Sequence, residues 1–518
     1  MNRHLFYILF AASSLSSSPM LIAQQAPFYG LTLPGPATLQ TLDFDNVDFP
    51  PLAAKVGEAA DPEPAELHRH VSELVNIALD SRQSNPQRWG NFSGFPEEER
   101  VIAYLQQQLQ NANVQDLDLK EFDQAPWSLT TGWQASVQDP NGNSVVLQSA
   151  VPMGVGNRSS VGELEAGLIY LGRGSAADLA GRDVRGKIAV IRGEVAPQFY
   201  DISTRDSQAR LEAAGAAGVI RLWDTPGNMQ VQLGDCPNIS CFNLGGEDSA
   251  FLEALIVEAA SRGQLEQLRM SLSMIVEREV RQARNLLGRI PGNGGSDENI
   301  LLVAHTDTWF GGADDNASGL AVMLELARYF AMPQNRPQHD IYILASPGHH
   351  HAAGGTSFFV ETYPQILADN MLTINLEHVA STGVSRIDAF LMDGVKDNYG
   401  NIVSSLSPTN WDSPWHGVAM SDKTPFLVQA WQQAAAENLY TQPGSAWEPA
   451  ARSVPGEAAA LDAAGALVIQ NPETSHWYHS SGATAETISP ESLQRAYLFF
   501  KDLIRIADAA SKAEIWAP

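Results

Sequence analysis

The residue types most able to do chemistry fall in an ordered run: His305-Thr306-Asp307, Asp314-Asp315-Asn316-Ala317-Ser318-Gly319, His349-His350-His351, Glu377 and the pair His476 and His479. Imidazole nitrogens and carboxylate oxygens are the ligands that zinc and its neighbours in the transition series take. A carboxylate can hold two cations about 3.5–4 Å apart, a spacing at which they polarise a carbonyl together and activate a water. The run therefore predicts a two-metal hydrolase site.

These residues need a frame to bring them together. Apolar runs at 300–304, 341–345, 372–376 and 466–469 read as strands, and 319–330 reads as a helix with Leu320, Met323, Leu324 and Ala327 on one face. The alternation from Asn285 onward predicts an α/β fold, with a mixed, mostly parallel sheet and helices on both faces. In such sheets ligands bind beyond the carboxyl ends of the strands, and His305, His349, His350 and Glu377 all follow a strand end. Upstream, helical periodicity covers 63–80 and 96–111, separated by a Gly/Asn/Ser-rich loop at 82–94.

Val303-Ala304-His305-Thr306-Asp307 and Gly312-Ala313-Asp314-Asp315-Asn316-Ala317-Ser318-Gly319 reproduce two signature elements of a known family. On these motifs, residues 63–135 and 276–518 resemble the zinc exopeptidases that include bacterial leucyl aminopeptidase, glutamate carboxypeptidase II and the glutaminyl cyclases. The resemblance implies that His305 and Glu377 hold one metal and His350 and His479 the other, with Asp315 bridging. Asp307 then accepts the free ring N–H of His305, and Asp314 faces away. His476 is the rival for the last ligand. Two zinc ions are implied, with a single ion or another divalent transition metal as alternatives.

The chain departs from the family where two adjacent glutamates are expected. Aligned on Gly355-Thr356 and Phe359, those positions are His349 and His350. His350 keeps a lone pair for a metal but removes a negative charge, leaving a two-His, one-carboxylate set that iron also uses. His349 takes the place of the general base. A neutral imidazole can accept a proton and pass it to a leaving amine, and nearby cations favour its neutral form. A register one residue later, with His350 as base and His351 as ligand, is the alternative.

A second unit is expected at 136–275. Its Gly-bounded strands near 167–172 and 186–193, followed by Ala213-Ala214-Gly215-Ala216-Ala217-Gly218-Val219-Ile220, resemble the protease-associated domain. Residues 1–23 read as a signal peptide, with Arg3 and His4 ahead of an apolar stretch too short to span a bilayer. Residues 24–62 read as an extended lead-in. Cys236 and Cys241 are the only cysteines, and in an oxidising compartment they are expected to pair. A net charge of −27 argues against nucleic acid or anionic lipid as partners.

The expected protein is thus an exported, periplasmic or extracellular hydrolase of the aminopeptidase type, cleaving a peptide or related amide bond by metal-activated water. Trp411, Trp415, Trp447 and Trp477 are candidates for the cleft wall. Two alternatives remain open at this point: a non-catalytic or metal-binding relative, and a hydrolase of non-peptide esters or amides or a glutaminyl-cyclase-like acyl transferase.

Overall fold

Strand β3 (Asn299–His305) is buried along its whole length, as is β5 (Asn370–Asn375). Continuous apolar strands of this kind need cover on both faces. In β3, Ile300, Leu302 and Ala304 enter one core, while Leu301 and Val303 enter a smaller one on the opposite face. Truncating Leu302 to Ala would cost about 2–5 kcal/mol, the usual range for a fully packed core leucine.

The computed structural model describes residues 28–39, 57–124, 129–154, 159–193, 202–225, 227–236, 238–351, 353–387, 405–412, 419–440, 454, 456–470 and 477–518. The main sheet also contains β1 (Gln115–Gln124), β2 (Arg281–Ile290), β4 (Asp340–Ser346), β6 (Ala419–Met420) and β7 (Val468–Gln470). Its order is β1-β2-β4-β3-β5-β7-β6. The four central strands β4, β3, β5 and β7 run parallel, whereas β1, β2 and β6 pair antiparallel at the two edges. The expectation of a mixed sheet holds, with parallel pairing confined to its middle.

The larger core is covered by α1 (Pro64–Ser84), α2 (Pro96–Asn111), α3 (Ser318–Ala331), α5 (Pro425–Asn438) and α7 (Pro490–Asp508). On the other face lie α4 (Gly354–Thr362) and α6 (Ala458–Ala463). The single apolar face expected for α3 is too narrow. Val322 and Leu326 are buried as well, because α1, α2 and α7 also contact this helix.

A second, eight-stranded sheet takes residues 129–277. Its first and last strands in chain order, Leu129–Gln138 and Arg269–Glu277, pair along their length, so the chain changes sheets between Gln124 and Leu129, earlier than the boundary expected at 135. Cys236 and Cys241 are joined in a disulfide inside this unit. The lead-in is held to it: Phe28 is fully buried, and Thr38 bridges to Met229. The signal-peptide residues lie outside the described residues. No helix among the described residues is long and apolar enough to cross a membrane.

Candidate metal centre

β3 delivers His305, the turn after β4 delivers His349 and His350, and the turn after β5 delivers Glu377, all at the carboxyl edge of the parallel strands. Asp315 arrives from the turn preceding α3, and His479 from a loop in the left-handed region at φ 50°. Single non-glycine residues held in that region cost about 1–3 kcal/mol and persist where their surroundings fix them. The fixing contact comes from the second unit. The ring Nδ1 of His479 lies 3.1 Å from the Gln232 carbonyl oxygen, and Gln232 N–H donates to the His479 carbonyl at 2.8 Å.

The Asp315 carboxylate divides its two oxygens. Oδ1 lies 2.8 Å from His305 Nε2, while Oδ2 lies 2.9 Å from His479 Nε2 and 3.6 Å from His350 Nε2. Glu377 Oε1 lies 3.8 Å from His305 Nε2, and its Oε2 accepts from Asn375 Nδ2 at 2.9 Å. Three sets of ligand atoms could each surround one ion: His305, His349, Glu377 and Glu457; His305, Asp315, Glu377 and His378; and Asp315, His350 and His479. Ligand atoms around a zinc with bonds of ~2.0–2.1 Å stand roughly 3.3 Å apart, the scale of these separations.

The residues fit such ions by a second criterion. His305 Nε2, both Asp315 oxygens, His350 Nε2 and His479 Nε2 are buried without a hydrogen bond of adequate geometry. So many buried lone pairs facing one another cost several kcal/mol unless a cation satisfies them. The protonation balance agrees. Burial raises the Asp315 carboxyl, but His378, His350 and His305 outweigh it and hold it well below the usual carboxylate range. Glu377 is likewise lowered to about 2, burial being overcome by His349, His378 and His305. Burial holds the His350 ring well below the normal imidazole range and so neutral, the form that ligates.

Asp307 sits differently from expectation. The ring Nδ1 of His305 is 3.0 Å from the backbone oxygen of Asp307, whereas the Asp307 carboxylate is 3.9 Å away. That carboxylate instead accepts the backbone N–H groups of His349 at 3.0 Å and His350 at 3.1 Å. Its role is to hold the His349-His350 turn.

His349 lies over His305, with ring centroids 4.0 Å apart and planes 13° from parallel. Its Nε2 is 3.4 Å from Glu377 Oε1, and its Nδ1 is 2.6 Å from Glu457 Oε2. Burial would lower this ring, but Glu377 and Glu457 outweigh it and raise it to about 10; a cation bound by the same carboxylates acts in the opposite direction. His351 joins none of the ligand sets. His350, not His351, stands with Asp315 and His479 in one of these sets. Asp314 is buried and is in no ligand set among the described residues.

Glu457 and His378 escaped the sequence reading. Glu457 follows Gly456 in a turn entering an alanine-rich helix, with no strand ahead of it, and so reads as an ordinary acidic helix start. His378 is adjacent to Glu377, where one ligand was expected. Its Nε2 is 3.1 Å from Glu377 Oε1 and 3.2 Å from Asp315 Oδ1. His476 lies outside the described residues, as do Trp415 and Trp447, and the Trp411 side chain is not described. Trp477 is buried with Met229 and Ala483 rather than on a cleft wall. Trp309, 6.5 Å from the His350 ring, and Tyr478, stacked 3.7 Å from the His479 ring, are the aromatic groups beside the site.

An α/β sheet with imidazoles and carboxylates converging at the ends of its parallel strands is an arrangement able to hold metal ions. Residues 285–504, which carry every one of these groups, match the model of peptidase family M28. Aminopeptidase YwaD of Bacillus subtilis is 25% identical over 348 residues, covering 64% of this chain and 65% of its own length. A glutamate carboxypeptidase 2 homolog of Caenorhabditis briggsae is 27% identical over 125 residues, covering 23% of this chain and 16% of its own. The chain thus spans less than two thirds of these relatives. A solved zinc aminopeptidase from Bacillus subtilis shares the fold, with a TM-score of 0.57 at 18% identity, covering 85% of this chain and 94% of that one.

Proposed function

We propose that the protein is an exported two-metal hydrolase of the aminopeptidase type, acting on a peptide or a related small amide. The observation that carries this reading is the Asp315 carboxylate, whose two oxygens face two separate ligand sets. His305 and Glu377 would hold one ion, His350 and His479 the other, and Asp315 would bridge. Zinc, which the related aminopeptidase is described as using, suits this nitrogen- and oxygen-rich set. When bound, the two ions polarise the scissile carbonyl and activate the attacking water.

This chain's own residues supply the rest. His349, on the turn beside the ligands, takes the proton released in the attack and returns it to the leaving amine. Asp307 keeps that turn in place through two backbone N–H groups. The unit at 129–277, which resembles a protease-associated domain, secures His479 through Gln232. The disulfide between Cys236 and Cys241 favours an oxidising, exported location.

The test is mass spectrometry of free and N-blocked peptides incubated with zinc-reconstituted protein, with His305→Ala as control. Stepwise loss of amino-terminal residues from free peptides alone, abolished in His305→Ala, is expected. Cleavage of no peptide would overturn the reading.

A further inference from the structure

We propose that Glu457 is the positioning residue for His349. It takes the imidazole's Nδ1–H, which leaves the Nε2 lone pair facing the metal centre as the proton acceptor. The inference rests on the hydrolase reading above but concerns a residue to which that reading assigns no role.

Three observations carry it. The Nδ1 to Oε2 separation is 2.6 Å, a hydrogen-bond distance at which the carboxylate accepts the proton of an Nδ1–H tautomer. The carboxylate is held in place: Glu457 is 1% exposed, and its backbone oxygen accepts from Thr356 Oγ1 at 2.7 Å on the helix that follows the His349-His350 turn. The approach is also built for closeness. Gly456 adopts φ +75°, and a Cβ there would sit 2.9 Å from His349 Cε1 and 3.3 Å from Glu377 Oε2. Only glycine lets the 456–457 backbone come this near.

The arrangement follows from the replacement of a carboxylate by a ring. A carboxylate at position 349 would present either oxygen to the proton, whereas an imidazole must be in one tautomer to do so, and a partner on Nδ1 fixes which. It also follows that a glutamate at 349 would face the Glu457 carboxylate. Two buried like charges at that distance repel strongly.

The experiment uses the full zinc-loaded protein and compares Glu457→Gln, His349→Glu and the double variant His349→Glu/Glu457→Gln. Readouts are kcat and KM on a peptide cleaved by the wild type, zinc affinity by chelator competition, and the 15N shifts of the His349 ring. Glu457→Gln should lower kcat by roughly 10–100-fold with KM and zinc affinity held, and should abolish the pure Nδ1–H tautomer of His349. His349→Glu should be poor alone and regain at least about tenfold in the double variant. An unchanged tautomer in Glu457→Gln, or no gain in the double variant, overturns the proposal. A zinc affinity that falls in step with kcat also overturns it, by making His349 a ligand. A wild type that cleaves no peptide defeats the hydrolase reading instead, while the ring tautomer still decides whether Glu457 sets His349.

Discussion

Gln232 holds His479 through its backbone alone, accepting from the ring and donating to the carbonyl of the same histidine. The contact ties the second sheet to the metal centre, since Val231 bridges to Ser480 and Ser481 N–H donates to the Gln230 carbonyl beside it. The second unit therefore orients the proposed ligand His479 as well as flanking the site.

That relationship predicts an asymmetry between two substitutions at one position. Gln232→Ala keeps both backbone groups and should leave zinc affinity within about twofold of the wild type, whereas Gln232→Pro removes the N–H and should weaken binding roughly 10–100-fold. Chelator competition on folded protein measures both, and equal affinities would show that the Gln232 backbone does not position His479.

Asp307 gives a second prediction. Its two carboxylate oxygens accept two backbone N–H groups, and an amide cannot accept both in the same geometry. Asp307→Asn should cost about 1–3 kcal/mol in denaturant unfolding and reduce kcat, because the His349-His350 turn is left with an unsatisfied donor. Unfolding that matches the wild type would place the hold on that turn elsewhere.

A third concerns pH and a carboxyl that belongs to none of the candidate ligand sets. Burial raises the Asp248 carboxyl to about 6 despite hydrogen bonds from Ser149 N and Oγ at 2.7 and 2.6 Å. A carboxyl raised above its unfolded value of ~3.9 favours the fold most below that value, and the contribution is lost as pH rises through the folded value. Between about pH 4 and pH 7 the loss amounts to up to about 3 kcal/mol. Asp248→Asn should remove this component, so the difference in stability between wild type and variant should change across that window. A constant difference would refute the assignment.

The parts legible in the sequence were those whose signal is local. Fully buried parallel strands must be apolar throughout, so β3 and β5 stood out, and the motifs around His305 and Asp315 crowd their chemistry into a few residues. The hold on His479 was invisible because any residue at 232 offers the same carbonyl. Glu457 was invisible because its partner is over a hundred positions away and its own surroundings read as a helix start. The change of sheet before Leu129 left no mark because Leu129–Gln138 alternates as any half-covered strand does, whichever sheet it joins.

The most direct measurement of the central claim is zinc per chain, by elemental mass spectrometry after dialysis against a weak chelator, for wild type and Asp315→Ala. A carboxylate that bridges both ligand sets predicts about two ions in the wild type and loss of both from a folded Asp315→Ala protein, together with its peptide cleavage. One ion or none in the wild type, or two retained in Asp315→Ala, would contradict the bridged centre.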